Sequence, residues 1–343
     1  MFGILALSEK GRDMLKTFRL DALRLASGSL LHGIDIAFSL CGMFGGPLVA
    51  VLGGISAGRH VTGQRTGQKT GWWSSICGPG RALDTDACAI LSFDYLGGVG
   101  LTTGPRRGQS PECFPEVSTF DQAELLAKIL DHLGVRRLGG LVGASYGGMV
   151  GLAFAQAHPE RLGGLTVIGA AHKSPPMATA VRAIQRAIVS DAVAAGNPRR
   201  GLALARALAM TTYRTAEEFR LRFDAPRTDP DSPDSFPVWT YLRARGESFA
   251  AWMDAESYLV LSRSIDLHRV DPRAVQAPLR VVSVNQDQIA PSNLCAELVD
   301  KAAGPAELVS MDSIYGHDAF LKEPLMISKI LSGAFAAGHA RAQ

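Results

Sequence analysis

The chain reads as an α/β fold: a mostly parallel sheet covered by helices and interrupted by an inserted helical segment. Three observations predict it. Short apolar runs end in Gly or small polar residues, helical spacing fills the interval between two of them, and the strand pattern disappears for about a hundred residues and then returns. At 343 residues, and roughly 150 residues per domain, the chain is expected to form about two units or one large α/β domain with an insertion.

The first strand expected is Leu48-Val49-Ala50-Val51-Leu52, which runs into Gly53-Gly54. Ala89 to Phe93 ends in Asp94, Leu138 to Val142 ends in Gly143, and Leu165 to Ile168 ends in Gly169-Ala170. Each has the continuous apolar character of a strand buried on both faces, and each is followed by the loop where open α/β sheets place ligands. Between the second and third, Leu125, Leu126, Ile129, Leu130 and Leu133 share one face of a helix over 121–133. From Ser174 to Asp271 the chain turns to Ala- and Arg-rich helical stretches over 181–195, 201–210 and 215–223, followed by the Pro-broken segment 224–237. Strands return at Leu279 to Val284 and at Glu307 to Ser310, and a helix over 326–336 closes the chain. The economical division is a core of 1–173 and 272–343 with a helical lid of 174–271, because an independent second domain would not return the chain to the sheet.

Hydrophobic residues are 47% of the chain and charged residues 20%, which excludes a disordered chain. Lys and Arg number 35 against 32 Asp and Glu, and the resulting +3 is too small for a nucleic-acid footprint without a basic tract. The five cysteines (Cys41, Cys77, Cys88, Cys113, Cys295) are scattered, with no C-x-x-C pair, so neither a disulfide framework nor a zinc ribbon is expected, and no metal site. The opening MFGILALSEKGRDMLK has its charges after the apolar stretch, unlike a signal peptide, and no run of about 18 residues suits a bilayer. A cytoplasmic protein without membrane contact is the expectation.

The chemistry starts at Gly143-Ala144-Ser145-Tyr146-Gly147-Gly148, a G-x-S-x-G pattern between a strand and the small-residue helix that begins at Met149. Glycines on both sides leave room for the sharp turn that exposes the serine. The helix N-terminus and the Tyr146 N–H favour a negative oxygen there, half of an oxyanion hole. An ordinary Gly-rich turn matches the same five letters, so chain order must discriminate. In the α/β-hydrolase fold the acid follows a late strand and the histidine comes near the end. Asp287 follows the strand 279–284, and His317 lies in Gly316-His317-Asp318-Ala319-Phe320. His317 would take the Ser145 proton, and Asp287 would fix the imidazole tautomer. The second oxyanion donor is expected in Gly53-Gly54-Ile55-Ser56-Ala57-Gly58, at the Ile55 N–H, a plain turn being the other reading of that loop. It lacks the Gly-Lys-Ser/Thr ending of a nucleotide phosphate cradle.

Gly54-Ile55-Ser56 with His60, Gly71-Trp72-Trp73, Gly78-Pro79-Gly80, Thr103-Gly104-Pro105, Phe114 to Ser118, the elbow, Thr240-Tyr241-Leu242, Ser257 to Asp266 and Gly316 to Leu321 occur in one order. In these stretches the chain resembles the homoserine O-acyltransferase family, enzymes of the α/β-hydrolase fold, over nearly its whole length. The resemblance implies transfer of an acyl group from acyl-CoA, as co-substrate and with no cofactor, to the homoserine hydroxyl in methionine synthesis. It also implies a homodimer formed through the lid helices, and a substrate clamp in which Arg206 binds the amino-acid carboxylate and Asp318 the ammonium. The segment Asp94-Tyr95-Leu96-Gly97-Gly98 departs from the Asn-rich strand end usual in the family. Serine as acceptor, acetyl or succinyl as donor, water as acceptor in an esterase or thioesterase, and a binding protein with an idle triad remain open. A succinyl donor needs a cation near its distal carboxylate, for which Arg263, Arg106 and Arg107 are available.

Overall fold

The computed structural model describes residues 14–62, 71–105 and 114–332. Arg106, Arg107, Cys113 and the end of the expected closing helix lie outside the described residues. Ahead of Leu48, where no strand is expected from the sequence, the chain forms a long hairpin of β1 (Met14–Arg24) and β2 (Leu30–Gly42). Then come β3 (Leu48–Leu52), the two-residue strands β4 (Cys77–Gly78) and β5 (Leu83–Asp84), and β6 (Ala89–Phe93). The remaining strands are β7 (Gly140–Ala144), β8 (Leu165–Ile168), β9 (Leu279–Val284) and β10 (Ala306–Met311).

Among the described residues the main sheet has eight strands, in the order β1-β2-β6-β3-β7-β8-β9-β10. The hairpin is antiparallel and β2 pairs antiparallel with β6, Phe38 opposite Phe93, whereas every pairing from β6 to β10 is parallel. The C-terminal ends of β3, β7, β9 and β10 therefore open on one edge, and the loops they launch meet there. β7 starts and ends two residues later than the apolar run suggests, with Leu138 left in an isolated bridge to Leu162, so the strand reaches Ala144. No loop residue separates it from the elbow.

The strands alternate between two cores. Ala50, Leu52 and Leu141 pack on one face with α1 (Thr119–Leu133) and α2 (Tyr146–Ala157). Val49, Val51, Val142 and Ala144 pack on the other with Trp73 and Phe320. A side-chain period of two along a strand demands apolar residues at every position when both faces are covered, which is why these runs are unbroken. Trp73, buried, donates its indole N–H to the Phe320 carbonyl at 2.9 Å, tying the loop after β3 to the chain's last third. There α8 (Ser292–Lys301) precedes β10, and α9 (Ala319–Lys322) and α10 (Pro324–Leu331) follow it.

Between β8 and β9 lie five helices: α3 (Pro176–Ala194), α4 (Pro198–Tyr213), α5 (Ala216–Phe223), α6 (Pro237–Ala250) and α7 (Ala255–Leu267). They have a small core of their own, centred on Val189, Leu202, Phe249, Met253 and Leu259. Arginines of α3 complete it: Arg182 and Arg186 reach Asp266 of α7 at 2.8 and 2.6 Å, with Thr179 adding a hydrogen bond at 3.0 Å. Ile55 packs against both this core and the sheet core, so the lid touches the loop after β3.

Helix α1 shows how locally determined one element is. Ser118 caps it, accepting from the Asp121 N–H at 3.3 Å while Asp121 accepts from the Ser118 N–H at 2.7 Å, and Gly134 at φ 67° ends it. Ser118→Ala is expected to cost about 1 kcal/mol, read as a lower denaturant midpoint at unchanged slope.

Candidate active site

Ser145 joins β7 directly to α2 with φ 54° and ψ −121°, the one positive-φ non-glycine among the described residues. Such a conformation costs about 1–3 kcal/mol and persists only where the surroundings over-determine it. Here they do. The Ser145 N–H donates to the Ile168 carbonyl at 2.8 Å, and its carbonyl accepts from the N–H groups of Gly148 and Met149 at 2.9 and 3.2 Å. A Cβ at Gly143 would lie 2.2 Å from the Gly147 carbonyl oxygen, and one at Gly147 would lie 2.3 Å from that of Leu52. The motif's glycines are thus required by close backbone approach on both sides of the serine.

The loop after β10 carries His317 in a single turn of 3₁₀-helix, Gly316–Asp318, entered through Gly316 at φ 54°. Its Nε2 lies 2.9 Å from Ser145 Oγ, and its Nδ1 lies 2.7 Å from Asp287 Oδ2. The other Asp287 oxygen accepts from the N–H groups of Ile289 and Ala290 at 2.7 and 3.0 Å, which orients the carboxylate from its own loop. With Nδ1–H donating to a carboxylate, the Nε2 lone pair faces the serine hydroxyl, the arrangement a general base needs. His317 and Asp287 are buried, while Ser145 is half-buried and reachable. Burial by itself would depress the His317 pKa; the charge and hydrogen bond of Asp287, and the charge of Asp318, outweigh it and the nearby Arg182, so the pKa lies above the ordinary imidazole value.

The expected oxyanion donors flank this serine in the chain path. Tyr146 is the first residue of α2, and Ile55 follows Gly53-Gly54 directly beyond β3. Neither N–H donates to a backbone carbonyl among the described residues, as befits groups left over at a helix start and in an open loop. The Gly53 carbonyl accepts from the Gly147 N–H at 2.9 Å, which holds the loop against the elbow.

Arg206 projects from α4 with its guanidinium 5.2 Å from the ring centroids of both Tyr213 and Phe249. The Tyr213 ring in turn lies 5.5 Å from the His317 ring. A lid cation is thus linked to the triad through one aromatic side chain. Asp318 is buried, and its Oδ2 is 2.9 Å from Arg214 Nε, whose guanidinium also reaches Glu218 at 3.1 Å. The corner between α4 and α5 therefore grips the histidine loop through three consecutive residues: Tyr213 by its ring, Arg214 by charge, and Thr215 by donating to the Ile314 carbonyl at 2.5 Å. No periodicity or motif marks these three in the sequence. Arg263 is exposed on α7.

Two outcomes follow from this geometry. Gly147→Ala should destabilise the protein by roughly 3 kcal/mol or more, or prevent folding, as seen in thermal melting or soluble yield. Because only neutral His317 can accept the serine proton, labelling of Ser145 by a fluorophosphonate should decline as pH falls, with an acid limb above that of free imidazole. Asp318→Asn should move that limb to lower pH.

A family model of the α/β-hydrolase fold matches residues 47–324. The chain is 41% identical to a homoserine O-succinyltransferase of Xanthomonas campestris, over 88% of its own length and 79% of the relative's. It is 34% identical to a homoserine O-acetyltransferase of Symbiobacterium thermophilum, over 87% and 88% of the two chains. Among solved structures it superposes on a homoserine O-acetyltransferase of Bacillus anthracis with a TM-score of 0.87 at 19% identity, covering 95% of this chain and 98% of that one. Esterase E22 gives 0.86 at 19% identity, over 94% and 100%. At those identities the structures speak for the fold alone, and the sequences for the lineage: the chain belongs to the homoserine O-acyltransferase family of the α/β-hydrolase fold.

Proposed function

We propose that the protein transfers an acetyl or succinyl group from acyl-CoA to the side-chain hydroxyl of L-homoserine, a step of methionine biosynthesis, through an acyl-enzyme on Ser145. The observation that carries this reading is the row Arg206, Tyr213 and His317, which sets a lid guanidinium one aromatic ring away from the general base. Hydrolysis with water as acceptor has no use for such a group, whereas an amino-acid carboxylate matches it bidentately.

In the first half-reaction Ser145 Oγ attacks the thioester carbonyl and its proton passes to His317 Nε2, leaving a tetrahedral oxyanion for the Ile55 and Tyr146 N–H groups. The C–S bond breaks, and the departing thiolate of CoA takes the proton from His317. In the second, the homoserine hydroxyl gives its proton to His317 and attacks the Ser145 ester. Collapse returns the serine oxygen, which recovers the proton. Arg206 holds the carboxylate, and Asp318, whose Oδ2 is held by Arg214, takes the ammonium. Asp287 stays ionised throughout and keeps Nδ1 protonated.

The assembly that fits is a homodimer. Met177 and Ile184 of α3, Leu204 of α4 and Trp239 of α6 are exposed apolar side chains on the lid helices, a surface that a second copy would cover. A cytoplasmic setting follows from the donor. It suits the free thiols of Cys77, Cys88 and Cys295.

Thiol release from acetyl-CoA and from succinyl-CoA, each with homoserine, serine or no acceptor, tests the reaction. Continuous release that requires homoserine is expected, beyond a burst of about one equivalent on acylation, with both lost in Ser145→Ala; continuous release without any acceptor would overturn transfer in favour of hydrolysis. Arg206→Ala should raise the KM for homoserine about 10–100-fold, the loss of a charged hydrogen-bonded pair, with the burst of CoA release on acylation retained. Sedimentation should show a dimer that Ile184→Asp with Trp239→Asp converts to monomer.

A further inference from the structure

The segment that departs from the family pattern sits against the loop expected to supply an oxyanion donor. Asp94 and Tyr95 follow β6, next to β3 in the sheet, and both are buried. The Tyr95 hydroxyl donates to the Gly53 carbonyl at 2.7 Å, at the start of loop 53–59. Asp94 Oδ1 accepts from the Arg59 N–H at 3.0 Å, at the loop's end, and Oδ2 pairs with the Arg59 guanidinium and accepts from the Leu101 N–H at 2.9 Å. We propose that Asp94 and Tyr95 are positioning residues of the oxyanion hole, adjacent side chains that grip loop 53–59 at both ends and fix where the Ile55 N–H points. This rests on the reading of Ile55 as a donor.

The packing supports a fixed loop rather than a tolerant one. A Cβ at Gly58 would lie 3.1 Å from Asp94 Oδ1, and one at Gly100 would lie 2.3 Å from Oδ2, so backbone closes on the carboxylate from two sides. Between the two anchors the loop has one turn bond, from the Ala57 N–H to the Gly54 carbonyl at 2.8 Å. Ile55 is thus two residues from the Gly53 anchor and four from the Arg59 anchor. Tyr95 also reaches the other donor, its ring standing edge-on to the Tyr146 ring at 4.9 Å and 82°. A buried Asp–Arg pair is a poor source of net stability, because desolvation offsets the attraction. What it supplies here is direction: a carboxylate fixes the backbone N–H of Arg59, and apolar contact could not.

The test uses the full-length protein and three variants. Tyr95→Phe removes one hydroxyl, Asp94→Asn removes the charge at nearly constant shape, and Ile55→Pro deletes the donor itself. The rate constant for fluorophosphonate labelling of Ser145 is measured at a temperature where each variant is folded, with kcat and KM for acyl transfer. Labelling and kcat should fall together, about 3–10-fold in Tyr95→Phe and about 10–100-fold in Asp94→Asn, short of the ~10²–10³ that losing a donor costs. The KM for homoserine and the acid limb of the labelling profile should stay as in the wild type. Slow labelling in Ile55→Pro with both other variants at the wild-type rate would overturn the positioning role and keep the donor. If none of the three slows labelling, the Ile55 assignment falls as well. Should Asp94→Asn not fold, Tyr95→Phe decides. Wild-type labelling without transfer to homoserine would instead count against the proposed acceptor and leave the positioning argument standing.

Discussion

The site depends on one constraint, the left-handed backbone of Ser145 held between β7 and α2. A side chain in that conformation is tolerable only if its neighbours leave no alternative, and the structure meets this by stripping Cβ atoms from Gly143 and Gly147, where backbone passes close by. The parallel pairing of β7 with β3 and β8 sets those approaches. In exchange the hydroxyl stands at the C-terminal edge of the sheet, over the start of a helix, where loops from three other strands can reach it.

The imidazole and its carboxylate arrive on separate loops, and each is oriented by local bonds before it meets its partner. Asp287 is fixed by two backbone N–H groups of its own turn. His317 is fixed from above by the lid corner 213–215 and from below by Asp287. The helices between β8 and β9 thus do more than cover the site. They place Arg206 one aromatic ring away from the base and steady the loop that carries it. Esterase E22 has a closely similar chain path, so the fold by itself does not choose the acceptor.

Much of this was legible in the amino-acid sequence because it is local. Short apolar runs marked β3, β6, β8 and β9 at the observed bounds, and apolar periodicity marked α1. The G-x-S-x-G elbow and the order serine, acid, histidine picked out the three residues the structure brings within hydrogen-bonding distance. The hairpin of β1 and β2 was missed although Ser27-Gly28-Ser29 offers its turn and Ile36 to Cys41 a largely apolar stretch, because β1 lies at the sheet edge, where charged and polar residues interrupt its apolar positions.

Sequence alone determined the backbone strain at Ser145 and the identity of its partners, because both follow from residue types at short spacing or in chain order. Only the tertiary structure decided which charges neutralise one another: Asp318 with Arg214, Asp94 with Arg59, and Asp266 with Arg182 and Arg186. Except for Arg214 with Glu218, one helical turn apart, these pairs join residues from 35 to 104 positions apart, and nothing in the intervening chain records their meeting. Burial makes each pair obligatory, since an unpartnered charge in the interior is costly, but the partner is chosen by the path of the fold.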